Sequence, residues 1–332
     1  MYRKRDYNLK SNVTIPAPLN GTRQKGKSLL KRNSLLREYV KHKYLFLLLL
    51  PLLVYYAVFH YAPMYGIMLA FKDFYPLKGI AGSPWVGLEH FTMLFTGLDF
   101  LPVLKNTLII SFYKLFFGFP APIILCLIIN EVRHTFFKKA VQTVTYLPHF
   151  ISWVVLAGFL IELLSPSRGP INILLQLLGI DPIFFIADVN WFRGVIVASS
   201  IWREVGWQSI IYLAAVAGIN TELYDVANMD GAGRLQRIWY ITIPSITPVI
   251  IIMFIFATGS IIQDDFDQIY NLLNAKVLSV GDVISTYTYR EGLVNMNFGY
   301  ATAVGLFKNV VAFTLVMNAN FIARKFSNYA IL

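Results

Sequence analysis

Cysteine and charged residues are both scarce in this chain of 332 residues, and each scarcity excludes a class of protein. The single cysteine, Cys126, excludes a disulfide framework and a cysteine-based zinc or iron–sulfur site. Only 14% of the residues are charged, against roughly 25% in soluble domains. Because 56% are apolar, the chain is too hydrophobic for a disordered protein and too poor in charge for an ordinary water-soluble globule.

The apolar residues are gathered in six long segments. A helix needs about 20 mostly apolar residues to cross the ~30 Å hydrocarbon core of a bilayer. Helices are expected because the backbone finds no water there to satisfy its hydrogen bonds. The segments are residues 44–70, 106–129, 141–164, 195–217, 245–262 and 301–322. The sequence therefore predicts an all-α integral membrane protein with six transmembrane helices.

The distribution of Lys and Arg predicts the orientation, since the side of the membrane richer in them is normally cytoplasmic. Residues 1–43 carry 12 of the 29 basic residues, and the alternate segments 130–140, 218–244 and 323–332 carry 7 more. The other three loops together carry 6. Both termini are therefore predicted to be cytoplasmic. The net charge of +11 marks the inner face of a lipid membrane, and nucleic acid is not expected as a partner.

The N-terminal tail contains a motif that we interpret as accidental. Gly21, Gly26, Lys27 and Ser28 have the spacing of a phosphate-binding loop. That loop requires a buried strand before it, and two prolines in the preceding residues exclude a central strand. We predict instead a disordered tail over residues 1–27 and a basic amphipathic helix over residues 28–43 on the inner leaflet.

The loop between the fourth and fifth segments has the pattern of a short helix with defined ends. Thr221 is placed to cap its start, where acidic residues suit the positive end of the helix dipole. Gly231 permits the left-handed backbone that ends a helix, and Pro244 stands where the chain re-enters the membrane. From the residues alone, a docking helix and a well-capped interfacial connector remain equally open.

This pattern resembles the EAA loop of permease subunits in ATP-binding cassette (ABC) importers, E-A-A-x-x-x-G followed after nine residues by I-x-L-P. Here Asp225-Val226-Ala227 and Gly231 precede Ile241-Thr242-Ile243-Pro244 at the same spacing, with Asp for Glu, Val for the first Ala and Ile for Leu. In that family the helix docks into the cytoplasmic ATPase. The resemblance implies that the ATPase-coupling residues are Glu222, Leu223, Asp225, Val226, Ala227, Asp230, Gly231 and Pro244.

The likeness extends over about residues 40–325. Four stretches are similar to carbohydrate-uptake permeases of the maltose-importer type, the LplB/YteP-like family: Tyr61–Gly66, Leu147–Trp153, Tyr224–Gly233 and Ala301–Leu306. The resemblance implies the type I ABC importer permease fold in the bacterial cytoplasmic membrane, and transport of a sugar, with an oligosaccharide expected.

The resemblance also implies an assembly. The expected partners are a second homologous permease subunit, two ABC ATPase subunits and an extracytoplasmic solute-binding protein. ATP and magnesium are expected on the ATPases, with no cofactor, metal or catalytic residue on this chain, which is not expected to be an enzyme.

The predicted organisation has five parts. They are a cytoplasmic basic tail and amphipathic helix (1–43), a first transmembrane helix (44–70), an extracytoplasmic loop (71–104), a five-span transmembrane domain (105–322) containing the cytoplasmic coupling loop (218–244), and a cytoplasmic C-terminus (323–332).

Polar residues inside the apolar segments are candidates for the substrate pathway. Charges at that depth are costly and normally face a pore or a partner. An arginine and aromatic faces suit the hydroxyls and C–H surfaces of a sugar. The predicted pathway residues are Arg203, Trp207, Gln208 and Tyr212 in the fourth segment and Lys308 and Asn309 in the sixth. The alternative for Arg203 is an ion pair with Glu204 or a contact with the second permease.

Relatives of the resembled group carry acidic oligosaccharides among others, and Arg203 and Lys308 would suit the carboxylates of such a sugar.

The other ionisable residues in or near the apolar segments have simpler interpretations. Lys114 is interpreted as reaching an interface, and His149 as a hydrogen-bonding residue at a helix contact, not a metal ligand. The acidic cluster Asp264, Asp265 and Asp267 is expected either to contact the solute-binding protein or to form a solvated loop face.

Two other functions remain open: a secondary transporter, and an importer permease for a non-carbohydrate solute. Secondary transporters usually show internal repeats with broken helices at corresponding positions, and no such repeat is visible in the sequence. A membrane enzyme would need a nucleophile or a metal-binding set that the apolar segments do not offer.

Overall fold

The computed structural model describes residues 41–262 and 264–326. The predicted tail, the phosphate-loop match and most of the predicted amphipathic helix therefore lie outside the described residues. Within the described ranges the regular structure is helical, apart from one antiparallel bridge between Lys72 and Trp85. The prediction of an all-α chain is confirmed for this part of the protein.

The chain divides into two units, residues 1–65 and 66–332. The described part of the first unit is the α-helix Lys43–Tyr56, continued by the π-helical turn Ala57–Tyr61 and by the start of the 3-10 helix Ala62–Phe71. Every residue from 41 to 65 is exposed. This apolar helix therefore leaves its sides open to lipid or to another subunit.

The second unit holds the remaining helices. The α-helices are Gly79–Gly82, Glu89–Thr96, Phe100–Tyr113, Pro120–Glu131, Thr135–Tyr146, Trp153–Leu163, Pro170–Leu177, Phe192–Ala217, Glu222–Met229, Arg234–Arg237, Ile243–Gly259, Phe266–Leu272, Leu278–Gly281, Ile284–Tyr289 and Phe298–Phe326. The π-helical turns of this unit are Lys114–Gly118, Ile238–Thr242 and Arg290–Val294. Its 3-10 elements are Leu147–Phe150 and the part of Ala62–Phe71 that follows residue 65.

Four continuous helical segments of the described chain are long and apolar enough to cross a membrane: Lys43–Phe71, Phe100–Glu131, Arg234–Gly259 and Phe298–Ile322. Two bent pairs raise the number to six if each pair is one span, and the candidate spans are numbered on that basis in chain order, with the bent pairs as the third and the fourth. Thr135–Phe150 and Trp153–Leu163 meet at 107°, and Phe192–Ala217 and Glu222–Met229 meet at 75°. The prediction of one unbroken helix over 141–164 is wrong, and the fifth span begins at Arg234, well before residue 245.

Helix Phe192–Ala217 joins two parts of the core. Near its start it packs in a cluster with the second and third spans and with helix Phe266–Leu272, and near its end it packs with the second and fifth spans. The first cluster includes Ile110, Trp153, Leu156, Phe192, Ile196 and Ile269, and the second contains Cys126, Tyr212, Val216 and Ile246. Burial of these apolar side chains fixes the helix against three neighbouring spans.

Gly206 lies where this helix packs closely against the backbone of the third span. A Cβ atom at Gly206 would overlap the backbone carbonyl of Thr145, whereas a Cβ at Gly194 in the same helix would meet nothing within 4 Å. Gly206→Ala should therefore destabilise the folded chain by about 1–3 kcal/mol, the usual cost of overpacking. Gly194→Ala should be neutral or slightly stabilising, because alanine favours a helix interior. Thermal unfolding in detergent tests this, and equal melting temperatures for the two variants would contradict the close contact.

Candidate functional site

The bend in the third span lies at Leu147–Ser152, here called the break. Pro148 has no backbone N–H, and the chain forms a short 3-10 turn there. Ser152 then takes an extended backbone conformation, and its hydroxyl accepts a hydrogen bond from the N–H of Val155 in the following helix. The break therefore combines a helix end with a new, capped helix start.

Arg203 of the fourth span binds the break. A broken helix leaves carbonyl groups without their usual N–H donors, which is costly inside a membrane. The Arg203 guanidinium donates to the carbonyl of Ile151 at 3.3 Å and to that of His149 at 3.2 Å. Its carbon also lies 4.9 Å from the centre of the Trp153 ring. The side chain of Arg203, a predicted pathway residue, therefore binds the backbone of the break.

Glu204 and two aromatic rings complete the contact between the fourth span and the break. The Glu204 carboxylate accepts from Arg203 at 2.7 Å and from the His149 ring at 3.0 Å. The His149 ring stacks on Trp207, with centroids 4.6 Å apart and planes 2° from parallel. The hydrogen-bonding interpretation of His149 and the alternative of an Arg203–Glu204 pair are both confirmed.

A cavity of about 290 Å³ lies beside this contact, between the second, fourth and fifth spans. Its size is near the lower limit for small-molecule sites. Its polar lining residues are Thr107, Ser111, Lys114, Ser200, Glu204, Gln208, Ser260, Asp264 and Asp265. Serine, threonine and amide groups together with charges can offer both donors and acceptors to a polar solute.

The predicted pathway residues differ in their relation to this cavity. Gln208 lines it, whereas Arg203, Trp207, Tyr212, Lys308 and Asn309 do not. Tyr212 is 2% exposed and lies in the cluster with Cys126 and Ile246. Asn309 is exposed on the sixth span. Whether any of these side chains contacts substrate stays a prediction.

The acidic cluster after the fifth span is largely inside the protein, so its expected position in a solvated loop is wrong for two of its three members. The Asp264 carboxylate is 2% exposed, lies 2.6 Å from the Lys308 ammonium and accepts from the N–H of Ser285. Asp265 accepts from the indole N–H of Trp153. Asp267 alone is exposed.

Lys114 is the cation of the cavity lining, and sequence reasoning did not place it there. It lies in the π-helical turn Lys114–Gly118 of the second span. Its ammonium donates to the side-chain carbonyl of Gln268 at 2.6 Å. The Gln268 amide in turn donates to the carbonyl of Ile196 and to the Ser199 hydroxyl. The sequence does show a lysine in the middle of an apolar segment, which indicates a polar environment. It does not show that this lysine contacts Gln268, 154 positions away.

The second candidate element is helix Glu222–Met229, here called the loop helix. Thr221 stands at its N-cap position but makes no side-chain cap, contrary to expectation. Instead, the side-chain carbonyl of Asn220 accepts from the N–H of Glu222 at 3.0 Å. Asn220 therefore satisfies one of the N–H groups at the helix start.

The C-terminus of the loop helix is a Schellman motif, which requires a left-handed residue. Gly231 has φ +76°, and its N–H donates to the carbonyl of Asn228. The N–H of Ala232 donates to the carbonyl of Ala227 at 2.9 Å. The predicted role of Gly231 as the helix stop is confirmed.

The loop helix has an anchored face and an open face. Tyr224 shares a hydrogen bond with Thr242, and Asn228 accepts one from Arg237, so this face is tied to the start of the fifth span. Of the residues predicted to couple to an ATPase, Glu222, Leu223, Asp225, Val226, Asp230 and Gly231 are exposed, and Ala227 is half-buried. Met229 adds an exposed apolar side chain, which the sequence prediction did not include.

Pro244 was expected where the chain re-enters the membrane at the start of the fifth span. It is exposed and lies inside the continuous helical segment Arg234–Gly259, after the π-helical turn Ile238–Thr242.

Residues 118–327 match the family model described as "Binding-protein-dependent transport system inner membrane component". The match covers more than half of the chain and includes the loop helix, the break and the fourth to sixth spans. The chain belongs to this family.

Two relatives of this family member come from Bacillus subtilis (strain 168). The polygalacturonan/rhamnogalacturonan transport system permease protein YteP is 46% identical over 91% of this chain and 94% of its own length. The protein LplB is 44% identical over 86% of this chain and 90% of its own length. The resemblance to the LplB/YteP-like permeases is confirmed.

The fold is also similar to that of a solved transporter subunit. A chain of a bacterial ABC transporter involved in the import of the acidic polysaccharide alginate matches with a TM-score of 0.82 and 42% identity, over 88% of this chain and 99% of that chain. A chain of a bacterial alginate ABC transporter in complex with an alginate pentasaccharide-bound periplasmic protein matches with the same TM-score and 40% identity, over 89% and 99%.

Proposed function

We propose that this chain is a permease subunit of an ATP-driven ABC importer that carries a sugar, in the form of an oligosaccharide, across the bacterial cytoplasmic membrane. The observation that carries the proposal is the likeness to the alginate importer chain, 42% identical over 88% of this chain. The relative YteP, named for polygalacturonan and rhamnogalacturonan transport, supports an oligosaccharide as the cargo.

The proposed assembly contains a second homologous permease, two ABC ATPases that bind ATP and magnesium, and an extracytoplasmic solute-binding protein. The last partner is supported by the periplasmic protein present in the alginate transporter complex. In the proposed orientation both termini and the loop helix are cytoplasmic. The exposed Leu223, Val226 and Met229 side chains would then face the ATPase.

Coupling would proceed through the contacts of the loop helix with the fifth span. Closure of the ATPases moves the loop helix, and the Tyr224–Thr242 and Asn228–Arg237 hydrogen bonds carry that movement to the membrane spans. The cavity between the second, fourth and fifth spans would alternate between outward and inward access. Its donors and acceptors, Gln208 among them, would bind sugar hydroxyls in passage.

Reconstitution in liposomes tests this function. The chain is purified with candidate partner permease and ATPases, and ATP hydrolysis and sugar uptake are measured with and without the sugar-loaded binding protein. Hydrolysis stimulated by that protein, together with ATP-dependent uptake, is the expected result. Sugar uptake by this chain alone without ATP would instead favour a secondary transporter. ATP-driven uptake of a non-carbohydrate solute in place of sugars would identify a different cargo.

A further inference from the structure

A second cavity, of about 650 Å³, lies between the second and fourth spans. Tyr113 and Phe117 line it from the second span, and Gly194, Ala198 and Ile201 line it from the fourth. All of these except Ile201 are exposed, so the cavity opens on the surface of the chain. Its volume is within the usual range for sites that bind small molecules.

The second cavity is polar at one end and apolar at the other. Asn190 and Arg193 line it where the fourth span begins, which is the membrane-surface end of that span. Ile201 lies eight residues further along the helix, which is about 12 Å deeper. A Cβ atom at Gly118 would lie 3.7 Å from Ile201, so the neighbouring Phe117 belongs to the same deep end.

Arg193 is the charged residue of this lining, and its guanidinium is held in place with donors to spare. Its Nε donates to the carbonyl of Val280 at 3.1 Å, and one Nη donates to the side-chain carbonyl of Asn106 at 2.7 Å. A guanidinium has five N–H donors, so three remain for a ligand. Among residues 41–262 and 264–326, no carboxylate lies within 4 Å of Arg193, and the described lining contains no acid. Asp188, the closest acid along the chain, accepts from the backbone N–H of Asn190 instead.

A cation above an apolar slot matches the two parts of an anionic phospholipid. A guanidinium forms charge-assisted, often bidentate hydrogen bonds with phosphate, and an acyl chain packs against apolar side chains. The lining has few acceptors for sugar hydroxyls, unlike the cavity between the second, fourth and fifth spans. An apolar helix of another subunit would cover the guanidinium without supplying an anion, which is costly in a membrane. The chemistry therefore favours a lipid over an oligosaccharide or a protein helix.

We propose that the second cavity binds an anionic phospholipid, with its phosphate on Arg193 and Asn190 and an acyl chain along Phe117 and Ile201. In the proposed orientation this end of the fourth span is extracytoplasmic, so the lipid belongs to the outer leaflet. The bound lipid joins the second and fourth spans at their outer ends. The inference is independent of the cargo.

The test measures lipid binding by native mass spectrometry of the full chain, alone and in the assembled transporter, with phosphatidylglycerol or phosphatidylcholine. Arg193→Gln removes the charge, and Gly194→Leu fills the cavity at a position where a Cβ meets nothing within 4 Å. Arg168→Gln is the control for charge, since Arg168 is an exposed cation outside the lining. Gly158→Leu is the control for bulk, since Gly158 is an exposed helical glycine outside the lining and its Cβ would also meet nothing within 4 Å.

Wild type should bind phosphatidylglycerol roughly ten-fold more tightly than phosphatidylcholine, both as the chain alone and in the transporter, because the guanidinium forms a charge-assisted hydrogen bond with the anionic headgroup. Arg193→Gln should abolish that preference. Gly194→Leu should weaken the binding of both lipids, and the two control variants should match wild type.

Several results would overturn the inference. They are a wild type without preference for the anionic lipid, unchanged lipid binding by Gly194→Leu, and losses in the controls equal to those in the cavity variants. Binding by the chain alone that disappears in the assembled transporter would show that another subunit covers the cavity, and would overturn it as well. Arg193→Gln also removes the contacts with Asn106 and Val280, so Gly194→Leu decides the outcome if the arginine variant misfolds.

Discussion

Replacing Gly231 by proline should lower ATP-driven uptake to roughly one hundredth of the wild-type rate. Proline fixes φ near −65°, whereas Gly231 has φ +76°. The substitution also removes the N–H that donates to the carbonyl of Asn228. A cost of about 3 kcal/mol or more corresponds to about two orders of magnitude in the population of the correctly ended helix.

The chain contains a matched control for this substitution. Gly179 has φ +77° and ends helix Pro170–Leu177 with the same motif, its N–H donating to Gln176 and that of Ile180 to Leu175. This helix lies in a loop predicted to be extracytoplasmic. Gly179→Pro should therefore perturb a helix end equally while leaving contact with the ATPase intact.

Two measurements separate coupling from folding in these variants. Co-purification of the ATPases with each variant reports docking, and hydrolysis stimulated by the binding protein reports coupling. We expect Gly231→Pro to lose both and Gly179→Pro to keep both. Normal docking and uptake by Gly231→Pro, or equal losses in the two variants, would contradict the role of the loop helix.

The second large effect is expected at the ion pair between Asp264 and Lys308. Lys308→Met should destabilise the folded protein by about 3–5 kcal/mol, because it leaves a buried carboxylate without its counter-ion. The Asp264 carboxylate is 2% exposed and would retain only the N–H of Ser285 among its observed partners. This pair connects the segment after the fifth span to the sixth span.

A double variant and an exposed pair provide the controls. Asp264→Asn combined with Lys308→Met removes both charges and should recover much of the lost stability, since no isolated charge remains. Arg168→Met breaks the Arg168–Glu162 pair, whose side chains are 74% and 59% exposed, and should change stability by less than about 1 kcal/mol. Thermal unfolding of the purified protein in detergent measures all three. Equal melting temperatures for the single and double variants would show that the ion pair is not the source of the effect.

The sequence predicted the elements whose signals are local. Long apolar runs predicted helices in the membrane because the backbone must satisfy its own hydrogen bonds there. Gly231 was predicted to end the loop helix with a left-handed backbone, and its φ of +76° confirms this. The family was also evident in the sequence, since the loop pattern and several other stretches resemble importer permeases.

The partners of charged side chains were not predictable in the same way. Arg203 and Lys308 looked available for an acidic sugar, but Arg203 binds a neighbouring carboxylate and the carbonyls of the break, while Lys308 binds Asp264. Lys114 looked like a residue reaching for an interface, but it lies at the cavity wall. Each outcome depends on contacts between spans that are far apart in the chain.

By itself, the sequence determined the helical membrane class, the approximate positions of the long apolar segments and the position of the loop helix. These follow from hydrophobic length, glycine and proline, which act over one or two helical turns. Only the tertiary structure decided where the third span breaks, which charges are neutralised and which lysine faces the cavity. In a low-dielectric interior, whether a charged side chain is neutralised depends on the groups within a few ångströms of it. Here those groups come from different spans.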